Sequence, residues 1–131
     1  MSIILIEDNV IHLKLISRAI KLGGRSEDLI CLRDGEKAIE YFENEPPRLP
    51  KLVLLDINLP KIDGIEVLKK IKGDKRFRMI PVVILTTSDS SKDKDMCLNF
   101  KANDYIVKST DMKEFITKMI NTINYWLNGG S

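Results

Sequence analysis

The sequence contains few of the residues that stabilise small secreted domains or bind zinc. Its 131 residues include two cysteines, Cys31 and Cys97, and one histidine, His12. Two cysteines at these positions form neither a disulfide framework nor a zinc-binding motif. We therefore expect two buried, reduced cysteines in a protein of the cytoplasm. His12 is expected to be a solvated residue on a helix.

Long hydrophobic runs and a large excess of one charge are also absent. The longest apolar runs are about four residues, whereas a membrane-spanning helix needs about 20. The 21 Lys and Arg residues nearly balance the 19 Asp and Glu residues, so the formal net charge is +2. This balance predicts neither a nucleic-acid partner nor a membrane partner. The first residues also lack the basic start and apolar stretch of a signal peptide.

The composition is typical of one folded domain. Hydrophobic residues make up 44% of the chain and charged residues 31%, which excludes a disordered or low-complexity polymer. A length of 131 residues lies within the usual size range of a single domain. We expect residues 1–131 to form one domain with no attached output domain.

Five short apolar runs alternate with segments of helical spacing. The runs cover residues 3–6, 29–32, 52–55, 82–85 and 105–107. None of them alternates apolar with polar residues, which is typical of parallel strands covered on both faces. The helical segments begin near Asn9, Gly35, Gly64, Ser91 and Asp111. This order predicts an α/β fold, (βα)5, with a doubly wound, parallel, five-stranded sheet.

Polar residues stand at the ends of four of the five predicted strands. They are Glu7 and Asp8 after the first, Asp56 at the third, Thr86 at the fourth and Lys108 at the fifth. In such sheets ligands bind at the carboxyl ends of the strands, where three clustered carboxylates would raise one another's pKa. An oxygen-only cluster suits Mg²⁺, and an ammonium and a hydroxyl can hold phosphoryl oxygens. The pattern therefore predicts phosphoryl transfer to a carboxylate.

Over essentially its whole length the sequence resembles the receiver domains of two-component response regulators. The matching motifs are the acidic pair Glu7-Asp8, the segment 56–60 followed by Asp63-Gly64, then Thr86, Tyr105 and Lys108. The resemblance implies a flavodoxin-like fold with strand order 2-1-3-4-5. It implies that Asp56 is the phosphoacceptor, that Thr86 and Lys108 contact the phosphoryl group, and that Thr86 and Tyr105 are switch residues. The implied Mg²⁺ ligands are Glu7, Asp8, Asp56 and the backbone carbonyl of Asn58.

Two residues depart from the family pattern near this site. Ser109 follows Lys108 where the family usually has a proline, so we expect a trans peptide bond and a different loop shape there. Thr87 stands where the family often has alanine. The Lys108-Ser109 pair, the segment 33–38 and the aromatic tail at 125–127 are similar to single-domain regulators that serve bacterial phytochrome kinases.

The resemblance implies a single-domain response regulator rather than an enzyme with an external substrate. A sensor histidine kinase, which the narrower resemblance implies is a bacterial phytochrome, would donate its phosphoryl group to Asp56. The acyl phosphate would then be hydrolysed slowly, and the signal would pass to an unidentified binding partner. One alternative is a receiver-like binding module that is never phosphorylated. Another is an aspartyl-nucleophile phosphatase, although that class needs a second acid where Asn58 stands.

The last predicted helix, over residues 111–127, is longer than a small sheet needs. Its inward stripe consists of Phe115, Ile116, Met119, Ile120 and Ile123, spaced three and four residues apart. Tyr125, Trp126 and Leu127 follow that stripe. Because aromatic residues often anchor interfaces, and the similar regulators pair through this end, we predict a homodimer. The alternative is that Trp126 folds back to close the core.

Overall fold

Five parallel strands alternate with five helices in the computed structural model, which describes residues 2–44, 49–87 and 89–129. The strands are β1 (Ser2–Ile6), β2 (Asp28–Leu32), β3 (Leu52–Asp56), β4 (Val82–Thr86) and β5 (Asp104–Val107). The helices are α1 (Val10–Leu22), α2 (Gly35–Glu43), α3 (Gly64–Gly73), α4 (Ser91–Asn99) and α5 (Met112–Leu127). The strands lie in the order β2-β1-β3-β4-β5. The predicted α/β fold and strand order are confirmed.

Helices cover both faces of the sheet because its three central strands carry mainly apolar side chains. Strands β1, β3 and β4 are buried at every position. On one face, α2 and α3 bury Phe42, Leu68 and Ile71 against the sheet. On the other face, α1 and α5 contribute Ile16 and Phe115 to a second core layer. Removing this apolar surface from water is the main favourable contribution to folding.

The edge strands differ from the expectation of full burial. Every residue of β2 is half-buried or exposed, and β5 has one buried residue, Ile106. An edge strand has a neighbour on one side only, so its side chains and ladder groups remain near solvent. Cys31 lies on β2 and is exposed, whereas Cys97 on α4 is buried. The prediction of two buried cysteines is therefore wrong for Cys31.

Each helix begins at a residue whose side chain caps its first turn. The capping residues are Asn9, Asp34, Asp63, Ser90 and Asp111, and each accepts a hydrogen bond from a backbone N–H two or three residues later. Such caps satisfy N–H groups that have no partner within the helix. Helix α2 ends at Glu43, and the pair Pro46-Pro47, expected to lie beyond its end, falls outside the described residues.

Gly64 allows α3 to begin directly against the segment that follows β3. A Cβ atom at this position would lie 2.4 Å from the Cα of Ile57 and 2.6 Å from the carbonyl oxygen of Asp56. Side chains do not fit at such distances, so the close approach requires glycine. The Asp63-Gly64 pair therefore fixes the chain beside Asp56 by sterics as well as by capping.

The last two helices differ in how much apolar surface they bury. Helix α4 buries Cys97 alone. On α5, Phe115, Met119 and Ile123 are buried, and the stripe continues to Trp126 and Leu127, which pack against the same core layer. The expectation that Trp126 and Leu127 lie beyond the stripe is wrong, because both pack against the core layer between the sheet and helices α1 and α5.

Within the described residues, no helix is both long enough and apolar enough to cross a membrane. The cytoplasmic location, and the expectation of one domain over residues 1–131 without an output domain, stay predictions.

Candidate functional site

The register of the sheet brings the polar strand ends together. Ile6 of β1 pairs with Leu55 of β3, so the next residues, Glu7 and Asp56, lie side by side at the carboxyl edge. Thr86 pairs with Val107 at the ends of β4 and β5, and Lys108 is the next residue. In a parallel sheet all carboxyl ends lie at one edge, so this arrangement follows from the strand order.

The ammonium of Lys108 lies between two buried carboxylates. Its Nζ donates to Glu7 Oε1 and, over 3.1 Å, to Asp56 Oδ2. The Lys108 side chain is 4% exposed and that of Glu7 is fully buried. The Lys108 backbone N–H also donates to the carbonyl oxygen of Thr86 over 2.6 Å. A buried charge is costly without partners, and here the charges are partners for one another.

Glu7 is an acid in an unusual environment. Burial, together with its contact with Asp56, raises the pKa of Glu7 from 4.5 to about 7, although Lys108 acts in the opposite direction. Oε2 of Glu7 accepts a hydrogen bond from the backbone N–H of Asn9 over 3.2 Å. Two neighbouring acids and one ammonium therefore leave an excess of negative charge at this edge.

Three carboxylates can share one cation here. One carboxylate oxygen from each of Glu7, Asp8 and Asp56 lies within 4.8 Å of the others, and Asp8 is exposed to solvent. The donor set consists of oxygen alone, which suits a hard divalent cation such as Mg²⁺. The predicted residues therefore form a cluster that fits a metal ion.

Asn58 links Asp56 to Thr86. Its backbone N–H donates to Asp56 Oδ1 over 2.9 Å, and its side-chain amide donates to the Thr86 hydroxyl over 3.2 Å. Thr86 is fully buried. The resemblance implies a role for the backbone carbonyl of Asn58 alone, whereas its side chain here also contacts Thr86.

His12 belongs to the site, contrary to the expectation of a solvated histidine. Its Nδ1 lies 2.9 Å from Lys108 Nζ and 3.5 Å from Glu7 Oε1, and its side chain is 26% exposed. Burial, and then the charge of Lys108, lower the pKa of His12. The signal for this position was present in the sequence. Asn9 caps α1, so a residue three positions later lies in the first turn, at the edge of the sheet that holds the site.

The remaining predicted positions lie around this cluster. Tyr105 is half-buried on β5 and packs against the core layer of α2 and α3, while Thr87 is exposed. All peptide bonds of the described residues are trans, which includes the bond after Lys108, and the Ser109 hydroxyl accepts from the backbone N–H of Asp111 over 3.1 Å. Arg33 donates to the carbonyl oxygen of Asp8 over 3.1 Å.

Comparisons with known proteins agree with this geometry. Residues 3–120 match the family described as response regulator receiver domain. The probable methanogenesis regulatory protein FilR2 of Methanothrix harundinacea is 41% identical over 128 residues, which cover 95% of this chain and 83% of that protein. The response regulator Rcp1 of Synechocystis sp. is 37% identical over 131 residues, covering 95% of this chain and 88% of Rcp1.

Solved structures show the same similarity. The phosphorylated cyanobacterial phytochrome response regulator RcpA superposes with a TM-score of 0.92 at 34% identity, covering 99% of this chain and 96% of RcpA. The Mn²⁺-bound form of Rcp1 superposes with a TM-score of 0.90 at 34% identity, covering 100% of this chain and 98% of that one.

Proposed function

This chain belongs to the response regulator receiver domain family, which acts in two-component phosphorelay signalling, and we propose that it accepts a phosphoryl group on Asp56. The donor in this proposal is the phosphohistidine of a sensor histidine kinase. The observation that carries the proposal is the contact of Asp56 Oδ2 with the Lys108 ammonium, 3.1 Å away, at the buried end of β3. The contact supports the proposal because a carboxylate can act as a nucleophile and the neighbouring ammonium is suited to phosphoryl oxygens.

In the proposed reaction a carboxylate oxygen of Asp56 attacks the phosphorus atom. The new oxygen–phosphorus bond forms as the phosphorus–nitrogen bond to the kinase imidazole breaks, and the bonding electrons return to that ring. Lys108 stabilises the negative charge of the transferring group, because its ammonium is already directed at Asp56. The Thr86 hydroxyl is hydrogen-bonded to the Asn58 side chain. In the proposal this hydroxyl also binds the phosphoryl oxygens.

The proposal includes Mg²⁺ as the cofactor. Glu7, Asp8, Asp56 and the backbone carbonyl of Asn58 would hold it, and the oxygen cluster of the three acids supports this assignment. When bound, Mg²⁺ neutralises part of the phosphoryl charge. The related Rcp1 has been solved in a Mn²⁺-bound form, which supports a divalent cation at the corresponding edge.

A phytochrome-type kinase is the proposed phosphoryl donor, and the name and similarity of RcpA support this. The signal then passes through binding to a downstream protein, with Thr86 and Tyr105 as the residues that change on phosphorylation. In this proposal the protein's own chemistry is limited to phosphotransfer to Asp56 and slow hydrolysis of the acyl phosphate. It is not an enzyme with an external substrate.

Incubation with acetyl phosphate and Mg²⁺, followed by intact mass measurement, tests the proposal. The parent should gain one phosphoryl group, and Asp56→Asn should gain none because an amide is a poor nucleophile. Asp8→Asn, and the parent with a chelator, should react much more slowly. Asp95→Asn, at an exposed position of α4, is the matched control and should react like the parent.

The same experiment separates the alternatives. A parent that gains no phosphoryl group, with native circular dichroism, supports a binding module that works without phosphorylation. Rapid, sustained release of phosphate without accumulation of the modified protein supports the phosphatase alternative. An Asp56→Asn variant that still gains one phosphoryl group contradicts the assignment of the nucleophile.

A further inference from the structure

Three partners surround the Lys108 ammonium, and they differ in chemistry. Two are the carboxylates of Glu7 and Asp56, and the third is the imidazole of His12, whose Nδ1 is 2.9 Å from Nζ. An ammonium has three N–H donors and no acceptor. The Nδ1 atom of His12 must therefore be the acceptor in this contact.

The structure fixes His12 from its backbone as well as its ring. The His12 N–H donates to the Asn9 side chain over 3.1 Å, which holds the residue in the first turn of α1. Its ring lies against that of Phe115 on α5, with 6.4 Å between the ring centroids. A ring with a fixed backbone and an aromatic neighbour is a more rigid acceptor than a residue on a free surface, because less conformational entropy is lost when Lys108 binds.

We propose that His12 is a positioning residue for Lys108: its Nδ1 holds the ammonium in place while the two carboxylates change their own binding partners. This inference rests on the proposed function. In the proposed function Glu7 and Asp56 also bind the metal ion, and Asp56 accepts the phosphoryl group. Their contacts with Lys108 therefore change between the phosphorylated and unphosphorylated states. His12 lies outside that set, and its hydrogen bond can persist through phosphorylation and hydrolysis.

The long side chain of Lys108 makes such an anchor useful. Its four methylene groups have many rotamers, and holding one of them costs side-chain entropy. The chain after Lys108 continues as Ser109, whose hydroxyl binds the backbone of Asp111 rather than the ammonium. Among the described contacts of Nζ, His12 alone provides a neutral acceptor.

Two substitutions at position 12 separate the acceptor from the bulk of the ring. His12→Leu removes the acceptor and keeps an apolar side chain against Phe115. His12→Asn places an amide oxygen one bond from Cγ, as Nδ1 is, and should restore the hydrogen bond. Ile11→Asn, at a position 65% exposed on the same helical turn, is the control for the effect of asparagine on α1.

The first measurement is the NMR signal of the Lys108 ammonium in the unphosphorylated protein, assigned by its loss in Lys108→Met. The parent, Ile11→Asn and His12→Asn should show a protected signal, and His12→Leu should lose that protection. This measurement needs no phosphoryl transfer, so it tests the contact even if the proposed function is wrong. A protected signal in His12→Leu overturns the inference.

The second measurement is the initial rate of phosphorylation by acetyl phosphate at saturating Mg²⁺. His12→Leu should be slower than the parent by about 3- to 10-fold, the range for loss of one hydrogen bond to a charged group that is partly replaced by others. His12→Asn should recover the parent rate. In a Lys108→Met background His12→Leu should have no further effect, because the two residues act as one unit.

The outcomes are distinguishable from failure of the proposed function. A parent that is never phosphorylated rejects the function, and the NMR comparison then decides the contact. A normal parent with an equal rate in His12→Leu overturns the positioning role. So does an equal loss in His12→Leu and His12→Asn, or a full additional loss in the Lys108→Met background, because either result points to a general structural effect.

Discussion

Two lysines lie at opposite ends of the same sheet, Lys72 half-buried and Lys108 with its side chain buried, and their partners are different. Lys72 of α3 lies at the amino edge, where Nζ donates to the carbonyl oxygens of Arg78 and Ile80 and to the Asn103 side chain, over 2.8 to 3.1 Å. Asn103 also accepts from the backbone N–H of Val82, at the start of β4. All of these acceptors are neutral, so the ammonium holds loop, helix and strand together without a charge partner.

Lys108 at the carboxyl edge is held by two carboxylates and one imidazole. Its two carboxylate partners repel one another, and in the proposed function they also bind a cation, while Asp56 accepts the phosphoryl group. Burial lowers the pKa of Lys72 to about 8, whereas at the other edge the raised pKa belongs to an acid, Glu7. From this comparison we expect the lysine at the amino edge to contribute to stability and the lysine at the carboxyl edge to contribute to the proposed phosphoryl transfer.

Replacing each lysine by methionine should give the largest contrast between the two edges. Lys108→Met keeps the length of the side chain and removes the charge that stabilises the transferring group. We expect the rate of phosphorylation by acetyl phosphate to fall by about 100- to 1000-fold, as when one preorganised donor is removed from an active site. Lys72→Met should react at the parent rate. Equal losses in both variants would break the comparison.

The alternation of strands and helices and the acidic edge could be predicted from the residues for a local reason, whereas the strand order was implied by the resemblance to receiver domains. Apolar runs, caps and polar strand ends are encoded within a few residues, and the parallel topology then brings the ends together. The contact between His12 and Lys108 spans 96 positions in the chain and depends on how α1 and α5 pack. The contact of Lys72 with Asn103 spans 31 positions and the side-chain bond of Asn58 to Thr86 spans 28, so they too are long-range. Periodicity does not specify such pairs.

Trp126 is a second example of a position that sequence spacing does not predict correctly. The spacing of apolar residues predicts that the stripe of α5 ends at Ile123, but Trp126 and Leu127 also contact the core. A stripe predicted from spacing alone cannot give the length of the surface it meets, which here includes α1. Likewise, the exposure of Cys31 follows from the position of β2 at the sheet edge, which is a property of the assembled topology.

The second prediction concerns the effect of pH at the carboxyl edge. The pKa of Glu7 is raised from 4.5 to about 7, so the folded, metal-free protein binds this proton more tightly than the unfolded chain. Stability from Glu7 is therefore complete below pH 4.5 and is lost as the pH rises through 7, by up to about 3 kcal/mol. Chemical denaturation of the parent and Glu7→Gln between pH 4.5 and 8 measures the difference.

Glu7→Gln carries a neutral amide and should lack this loss, so the stability difference between variant and parent should grow with pH. Glu36→Gln, which alters an exposed glutamate on α2, is the control and should follow the parent. If the stabilities of the parent and Glu7→Gln change in parallel with pH across this range, the raised pKa of Glu7 is contradicted.

The third prediction is that Lys72 contributes to the free energy of unfolding and that this contribution depends on pH. Lys72→Met leaves three acceptors without their donor and should lower the free energy of unfolding at pH 7 by about 1–2 kcal/mol. Because the pKa of Lys72 is lowered to about 8, the unfolded chain binds this proton more tightly. The parent should therefore gain stability relative to Lys72→Met as the pH rises from 8 towards 10.5. Denaturant titrations that show the opposite trend would contradict the assignment.

The smallest expected effect is at Trp126, whose indole N–H donates to Asp104 Oδ2 over 3.2 Å at the amino end of β5. Trp126→Phe keeps an aromatic ring and removes this hydrogen bond, which should cost about 0.5–1 kcal/mol because the site is partly exposed to solvent. Thermal melts measure that loss, with Tyr125→Phe, at a residue 48% exposed, as the control. Light scattering over a range of concentrations tests the predicted homodimer through α5 at the same time. A parent that dimerises, and a folded Trp126→Ala that does not, would assign this tryptophan a role in the interface as well as in the core. A parent that stays monomeric while Trp126→Phe still loses stability would limit the role of Trp126 to the folding of its own subunit.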